Sequence, residues 1–223
     1  MKKILSLLTI LCFAFSACGN NDDEDEPKPA DNQENNQEQN TENQEDLSEG
    51  LSGKTLLIYY SYTGNSKAIV NEFLKTVEAD VLEVLPAQEG LKYEADNYKI
   101  GSELIAAIRA NPDKAESYPE IKPYEVDFKE YNNIVIATPL WWSNMAAPMQ
   151  TFLFQEGNNL ADKNIMLIVS SASSGISAVV DDAKRLVSKG KFVGEALWIN
   201  NSNRSEMPQL LSQWIDTQKF SKQ

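Results

Sequence analysis

The stretch KTLLIYYSYTGNSKAIVNEFLKTV, Lys54 to Val77, decides how the rest of the chain is read. Its first part, Lys54–Tyr60, is a short apolar and aromatic run of the kind found in a strand buried on both faces. Val70, Phe73, Leu74 and Val77 then recur at helical spacing, so a helix with one buried stripe follows. Between the two lies SYTGNS, which has four hydroxyl side chains, one Gly, one Asn and no charge. A turn from strand into helix aims backbone N–H groups at the space above the strand, and the helix start adds a partial positive charge. Gly64 allows close backbone approach, and Ser61, Thr63 and Ser66 add hydroxyl donors. The loop reads as a phosphate cradle built from neutral donors. Asn65 or Ser66 would also serve as a plain helix cap, but a cap explains one residue and leaves the cluster without a reason.

Downstream, strand and helix patterns alternate. Val81–Leu85 reads as a strand stopped by Pro86, and Ile100–Ala110 as a helix ended before Pro112. Asn111–Glu130 contains three Pro residues and reads as an irregular excursion. Asn133–Thr138 is a buried strand closed by Pro139, and Pro148–Phe154 a helix with Pro suited to its first turn. Asn164–Ser170 is a fourth strand, Ile176–Ser188 a helix, Phe192–Ile199 a fifth strand and Ser205–Lys219 a closing helix with Leu210, Leu211, Trp214 and Ile215 inward. Such alternation predicts an α/β domain, a doubly wound five-stranded parallel sheet with helices on both faces. Ligands of such sheets bind beyond the carboxyl ends of the strands. The loops after the first, third and fourth strands are therefore the ones that matter.

The loop after the third strand, ATPLWWSNMAAP, carries Trp141 and Trp142 in tandem. Two broad apolar faces at a binding edge suit a large flat ligand. One of the two can equally close the core, but neighbours on an extended segment point opposite ways. The loop after the fourth strand, SSASSGIS, offers small residues beside a bulky ligand, or serves as an ordinary capping turn. Gly53–Thr55 ends like a nucleoside-triphosphate loop. However, the required first Gly would fall at Ser48, and the motif precedes a strand instead of a helix.

Composition excludes much else. The chain of 223 residues has two Cys and no His, which removes Ser-His-Asp and Cys-His nucleophilic sites and zinc sites built on Cys or His. The net charge of −13 is concentrated in residues 19–50, which hold 12 acidic residues and Lys28. The remainder is nearly balanced and shows no basic face for a nucleic acid.

Taken in order, SYTGNS, PLWW and the Ser-rich turn resemble the flavodoxin-like family, from Lys54 to about Lys219. In that family the strand order is 2-1-3-4-5. The resemblance implies flavin mononucleotide (FMN), with its phosphate on Ser61, Thr63, Gly64, Asn65 and Ser66 and Tyr62 also in the cofactor site. Its ring system would lie between Pro139, Leu140, Trp141, Trp142 and Ser143 on one side and Ser171, Ala172, Ser173 and Gly175 on the other, with Trp142 stacking and Trp141 more buried. Related sequences often carry Gly where this one has Ser143. The resemblance implies a redox protein, carrying electrons to an unidentified partner or reducing small acceptors such as quinones. A non-catalytic flavin- or ligand-binding protein on the same fold is the competing reading. A receiver-type signalling domain would need Asp where Ser61 and Thr138 stand.

The amino terminus reads as an export signal: Lys2 and Lys3, an apolar core from Ile4 to Phe15, then FSAC. That core is too short to span a bilayer. FSAC resembles a lipoprotein processing site, which makes residues 1–17 the signal and Cys18 the lipidated residue. Residues 18–50 form an acidic Asn/Gln-rich tether without the apolar surface needed to fold, and residues 51–223 form the domain. The protein is thus expected in the cell envelope, held to a membrane by lipid on Cys18. Cys18→Ser is expected to move the protein from the membrane to the soluble fraction with its flavin content unchanged; continued membrane attachment would overturn the lipid assignment.

Overall fold

In the first strand, β1 (Thr55–Tyr59), every residue is buried, yet successive side chains join different cores. Leu56 and Ile58 pack on one face of the sheet, and Leu57 and Tyr59 on the other. The computed structural model describes residues 51–220; the signal, Cys18 and the tether expected over residues 1–50 lie outside them. The same alternation holds in β3 (Asn133–Trp141) and β5 (Asn164–Ser170). Ile134, Ile136, Ile165, Leu167 and Val169 share the face of Leu56, and Val135, Ala137, Met166 and Ile168 that of Leu57. A strand with a core on both sides needs no polar face, which is why its sequence is continuously apolar.

The other strands are β2 (Asp80–Glu83), β4 (Asn144–Met145), β6 (Lys191–Phe192) and β7 (Leu197–Ile199). The sheet runs β2-β1-β3-β5-β6, with β7 also beside β5 and β4 turned back on β3. All ladders but β3–β4 are parallel. With β6 and β7 taken as one broken edge strand, this is the expected 2-1-3-4-5 order. The break is a departure from the single strand expected over Phe192–Ile199. Gly194 sits at φ 62°, taking the chain off the ladder, and the Trp214 indole N–H donates to the freed Glu195 carbonyl at 2.7 Å.

Helices α1 (Asn65–Phe73) and α5 (Met207–Gln218) cover one face, through Ile69, Val70 and Phe73 and through Leu211, Trp214 and Ile215. Helices α3 (Ala147–Glu156) and α4 (Ser177–Leu186) cover the other, through Met149, Phe152, Leu153, Val179 and Ala183. Helix α2 (Lys99–Ala110) buries Ile105 and Ile108 against Tyr118 and Ala147. The excursion after α2 contains two short 3-10 turns and a bridge from Ile121 to Pro86.

Phe152 is fully buried, with ring neighbours Tyr124 and Phe128. Phe152→Ala is expected to cost about 3–5 kcal/mol, read by denaturant unfolding; a loss below about 1 kcal/mol would show that the site collapses freely.

Candidate functional site

Pro139 does not end the third strand, as the sequence suggested. The ladder with β1 stops at Ala137 and that with β5 at Ser170 opposite Pro139, so Pro139 lies where no N–H is required of it. The chain continues through Leu140 and Trp141 and turns back, pairing Leu140 with Met145 and Trp141 with Asn144. The turn residues Trp142 and Ser143 have φ of 46° and 69°. Two positive values make the mirror-image turn that a tight hairpin needs. Neither residue is Gly, so the surroundings must hold them there.

They do so from three helices. The Arg109 guanidinium on α2 donates to the Asn144 side chain at 2.7 Å and to the Trp142 carbonyl. Asp182 on α4 is buried, and its carboxylate accepts from the Met145 N–H at 3.0 Å and the Asn144 amide at 2.8 Å. Gln150 on α3 donates to the Met145 carbonyl at 2.8 Å. Arg185 bridges Gln150 and Asp182. The spacing of charged residues gave no sign that these side chains converge on the hairpin.

The hairpin forms one wall of a cavity of about 250 Å³. Trp141 is the inner of the two rings, 5.6 Å from Tyr60 and 4.7 Å from Tyr93 between centroids. Trp142 is 40% exposed at the mouth. Tyr93, Tyr98 and Gly101 complete the apolar end. Tyr93 and Tyr98 stand between the second strand and α2, a segment given no role from the sequence although two Tyr close together before a helix mark it, and Gly101 is in the first turn of the helix expected over Ile100–Ala110. Burial pushes the Tyr60 and Tyr93 phenols up, away from ionisation near neutrality.

The other end of the cavity is the SYTGNS loop, through Ser61, Tyr62, Thr63, Asn65 and Ser66. Gly64, at φ 83°, is the residue before α1 and has no side chain with which to cap it. The helix-cap alternative for Asn65 and Ser66 therefore does not hold, and both lie inside the first turn with N–H groups that lack an intrahelical acceptor. A Cβ at Gly64 would meet nothing within 4 Å, so the space over it is open. Ser61 Oγ accepts from the Lys67 N–H at 3.2 Å, and Thr63 Oγ1 from the Asn65 amide at 3.1 Å. Each hydroxyl keeps its hydrogen for another acceptor. Ser66 Oγ is instead paired with Ser170 Oγ at 2.9 Å, and the Tyr62 hydroxyl donates to Glu94.

Pro139, Leu140, Trp141 and Trp142 are thus brought together with the loop. Ser143 is at the turn beside them. Ser171, Ala172, Ser173 and Gly175 are not among the residues lining the cavity. Ser171 instead ties its own loop, accepting from the Trp198 indole at 2.8 Å and donating to the Ser174 carbonyl at 3.0 Å.

Gly101 explains how Trp142 rests on α2. A Cβ there would lie 2.7 Å from the Trp142 ring. Ala in place of a helical Gly ordinarily adds up to about 1 kcal/mol. Gly101→Ala is expected to show that gain with Trp142→Ala as the background and to lose or reverse it in the native background. Equal gains in both backgrounds, by thermal or denaturant unfolding, would show that the indole does not rest on Gly101.

A flavodoxin family model matches residues 54–218. Among solved structures, the chain resembles a flavoprotein of Lactobacillus acidophilus NCFM in complex with FMN. The two are 24% identical over 70% of this chain and 99% of that one, with a TM-score of 0.55. Proteins described as flavoproteins from Bacteroides eggerthii and Bacteroides uniformis are similar too. They are 21% and 23% identical, with TM-scores of 0.59 and 0.58, covering 74% of this chain and 97% and 99% of theirs. At these identities the solved structures speak to the fold, and the family match covers nearly the whole described domain: the chain belongs to the flavodoxin family.

Proposed function

We propose that this protein binds FMN in the cavity between the SYTGNS loop and the tryptophan hairpin and acts as a redox protein, passing electrons to a partner or to small acceptors such as quinones. The observation that carries the reading is the two-ended character of one cavity. One end has the Asn65 and Ser66 N–H groups at the start of α1, open space over Gly64 and two hydroxyls with hydrogens to donate. The other end is aromatic, with Trp141, Trp142, Tyr93 and Tyr98. A phosphate at one end and a flat ring at the other are the chemistry of a flavin mononucleotide. Family membership and the FMN complex of the Lactobacillus flavoprotein support the same cofactor.

The bound flavin supplies the electron chemistry, and the protein supplies position and electrostatics. Ser61, Thr63 and the Asn65 and Ser66 amides at the start of α1 would hold the phosphate. Trp141 and Trp142 would shield the ring from water on the hairpin side. Tyr93, a phenol that burial moves still further from ionisation, puts no charge beside it. The resemblance of FSAC to a lipoprotein processing site extends the proposal to a lipid-held location outside the cytoplasm.

Thr63→Asp sets a carboxylate among donors arranged for an anion. Its FMN affinity is expected to fall by roughly a hundredfold, from repulsion of several kcal/mol in a partly desolvated site, while riboflavin, which has no phosphate, is much less affected. Fluorescence titration of both flavins reads this directly; equal losses would place the phosphate elsewhere, and a wild-type protein that takes up neither flavin would overturn the proposal.

A further inference from the structure

SYTGNS contains no cation, yet the fold brings one to it from 139 residues away. Arg204 begins the 3-10 turn Arg204–Glu206 that leads into α5. Its Nη1 donates to Asn65 Oδ1 at 2.7 Å, and its Nη2 to Asn201 Oδ1 at 3.3 Å. We infer that Arg204 is a positioning residue that selects for a phosphorylated ligand, fixing Asn65 and, through it, the direction in which Thr63 donates its hydrogen. The inference rests on the FMN reading and adds to it the residue that makes the loop discriminate.

The direction of each bond follows from the donors available. A guanidinium has donors and no acceptor, so Asn65 must turn its carbonyl oxygen to Arg204. The amide nitrogen then faces Thr63, to whose Oγ1 it donates at 3.1 Å. With that lone pair engaged, the single hydroxyl hydrogen of Thr63 points away from Asn65, free for an acceptor in the cavity that Thr63 lines. Without Arg204 the Asn65 amide can flip, and Thr63 would then spend its hydrogen on Asn65.

The turn that carries Arg204 is itself held in shape. Asn200 is buried, and its Oδ1 accepts from the Ser202 N–H, the Ser202 hydroxyl and the Asn203 N–H at 2.8, 2.6 and 3.2 Å. Asn203 Oδ1 accepts from the Asn200 N–H at 2.7 Å, and its amide donates to the Trp198 carbonyl at 3.1 Å. Arg204 is therefore presented from a built turn. Among the described residues no carboxylate pairs with it, whereas Lys67, the cation next to the loop in sequence, is drawn off to Glu83 at 3.7 Å. A phosphate monoester carries close to two negative charges at neutral pH, and Arg204 adds a favourable field there. Its exposure to solvent keeps that field modest and sensitive to salt.

The full-length protein is titrated with FMN and with riboflavin, as wild type, Arg204→Met, Arg204→Lys, Asn65→Ala and the Arg204→Met, Asn65→Ala double variant, with melting temperatures taken alongside. Arg204→Met keeps length and removes both donors and charge. Its Kd for FMN is expected to rise about five- to tenfold, with that for riboflavin changing less than about twofold. Asn65→Ala is expected to add no further FMN loss in the Arg204→Met background, since both act through one chain of bonds. Raising salt is expected to narrow the FMN preference of the wild type and of Arg204→Lys, and to leave that of Arg204→Met unchanged. Equal losses for both flavins, or a lowered melting temperature with an unchanged FMN-to-riboflavin ratio, would make Arg204 a surface staple between α1 and α5 and overturn the inference alone. Failure of the wild type to bind FMN would bring down the functional reading and this inference together.

Discussion

A parallel ladder makes every strand leave the sheet at the same end, and the site follows from that constraint. Because β1, β3 and β5 run the same way, each must hand the chain to a crossover on one face before the next can begin. The turns that start those crossovers gather along one edge. The loop before α1, the hairpin after β3 and the turn after β5 are neighbours for this reason alone, although 75 or more residues separate the first from the second. The two apolar cores, one on each face, fix the register that makes the gathering reproducible. A one-residue slip would send Leu56 and Ile58 to the face that now holds Leu57 and Tyr59.

Gathering is not placement, and the hairpin shows the difference. Trp142 and Ser143 occupy backbone conformations that side chains other than Gly rarely take; each costs about 1–2 kcal/mol where nothing compensates. The compensation is a converging set of polar groups on α2, α3 and α4, with the buried Asp182 carboxylate at its centre. A buried carboxylate without donors would be costly. Here it accepts from a backbone N–H, an amide and a guanidinium, so the hairpin and the helices define one another. The tryptophan wall is consequently part of the packed structure and not an appendage, while the exposed Trp142 ring stays at the mouth.

The two ends of the cavity use different physics. The aromatic end depends on shape and on exclusion of water, which suits rings that stack or meet edge to face. The SYTGNS end depends on the direction of individual hydrogens. Lone pairs on Ser61 and Thr63 are filled from within the protein, which frees their hydrogens, while Ser66 is turned inward to Ser170 and contributes through its position in the helix. Counting hydroxyls in the loop overstates its donors, because what counts is which of them the structure leaves free.

Local sequence determined the fold and half of the site. Apolar strands of five to seven residues, helical stripes such as Val70 and Phe73, and Pro and Gly at the boundaries are set by backbone and burial rules acting over a few residues, and SYTGNS could be read because all its parts are contiguous. Tertiary structure decided the rest, since its partners are distant in sequence and carry no local pattern. Nothing in the order of residues pairs Arg204 with Asn65, Arg109 with Trp142, or Gly101 with an indole ring. Nor does it show that Ser171, in the turn after β5, accepts from the Trp198 indole, or that Tyr93 and Tyr98 line the cavity. Pro139 read as a stop because proline lacks a ladder donor; whether a donor was needed there depended on where the neighbouring strands ended, which only the assembled sheet decides.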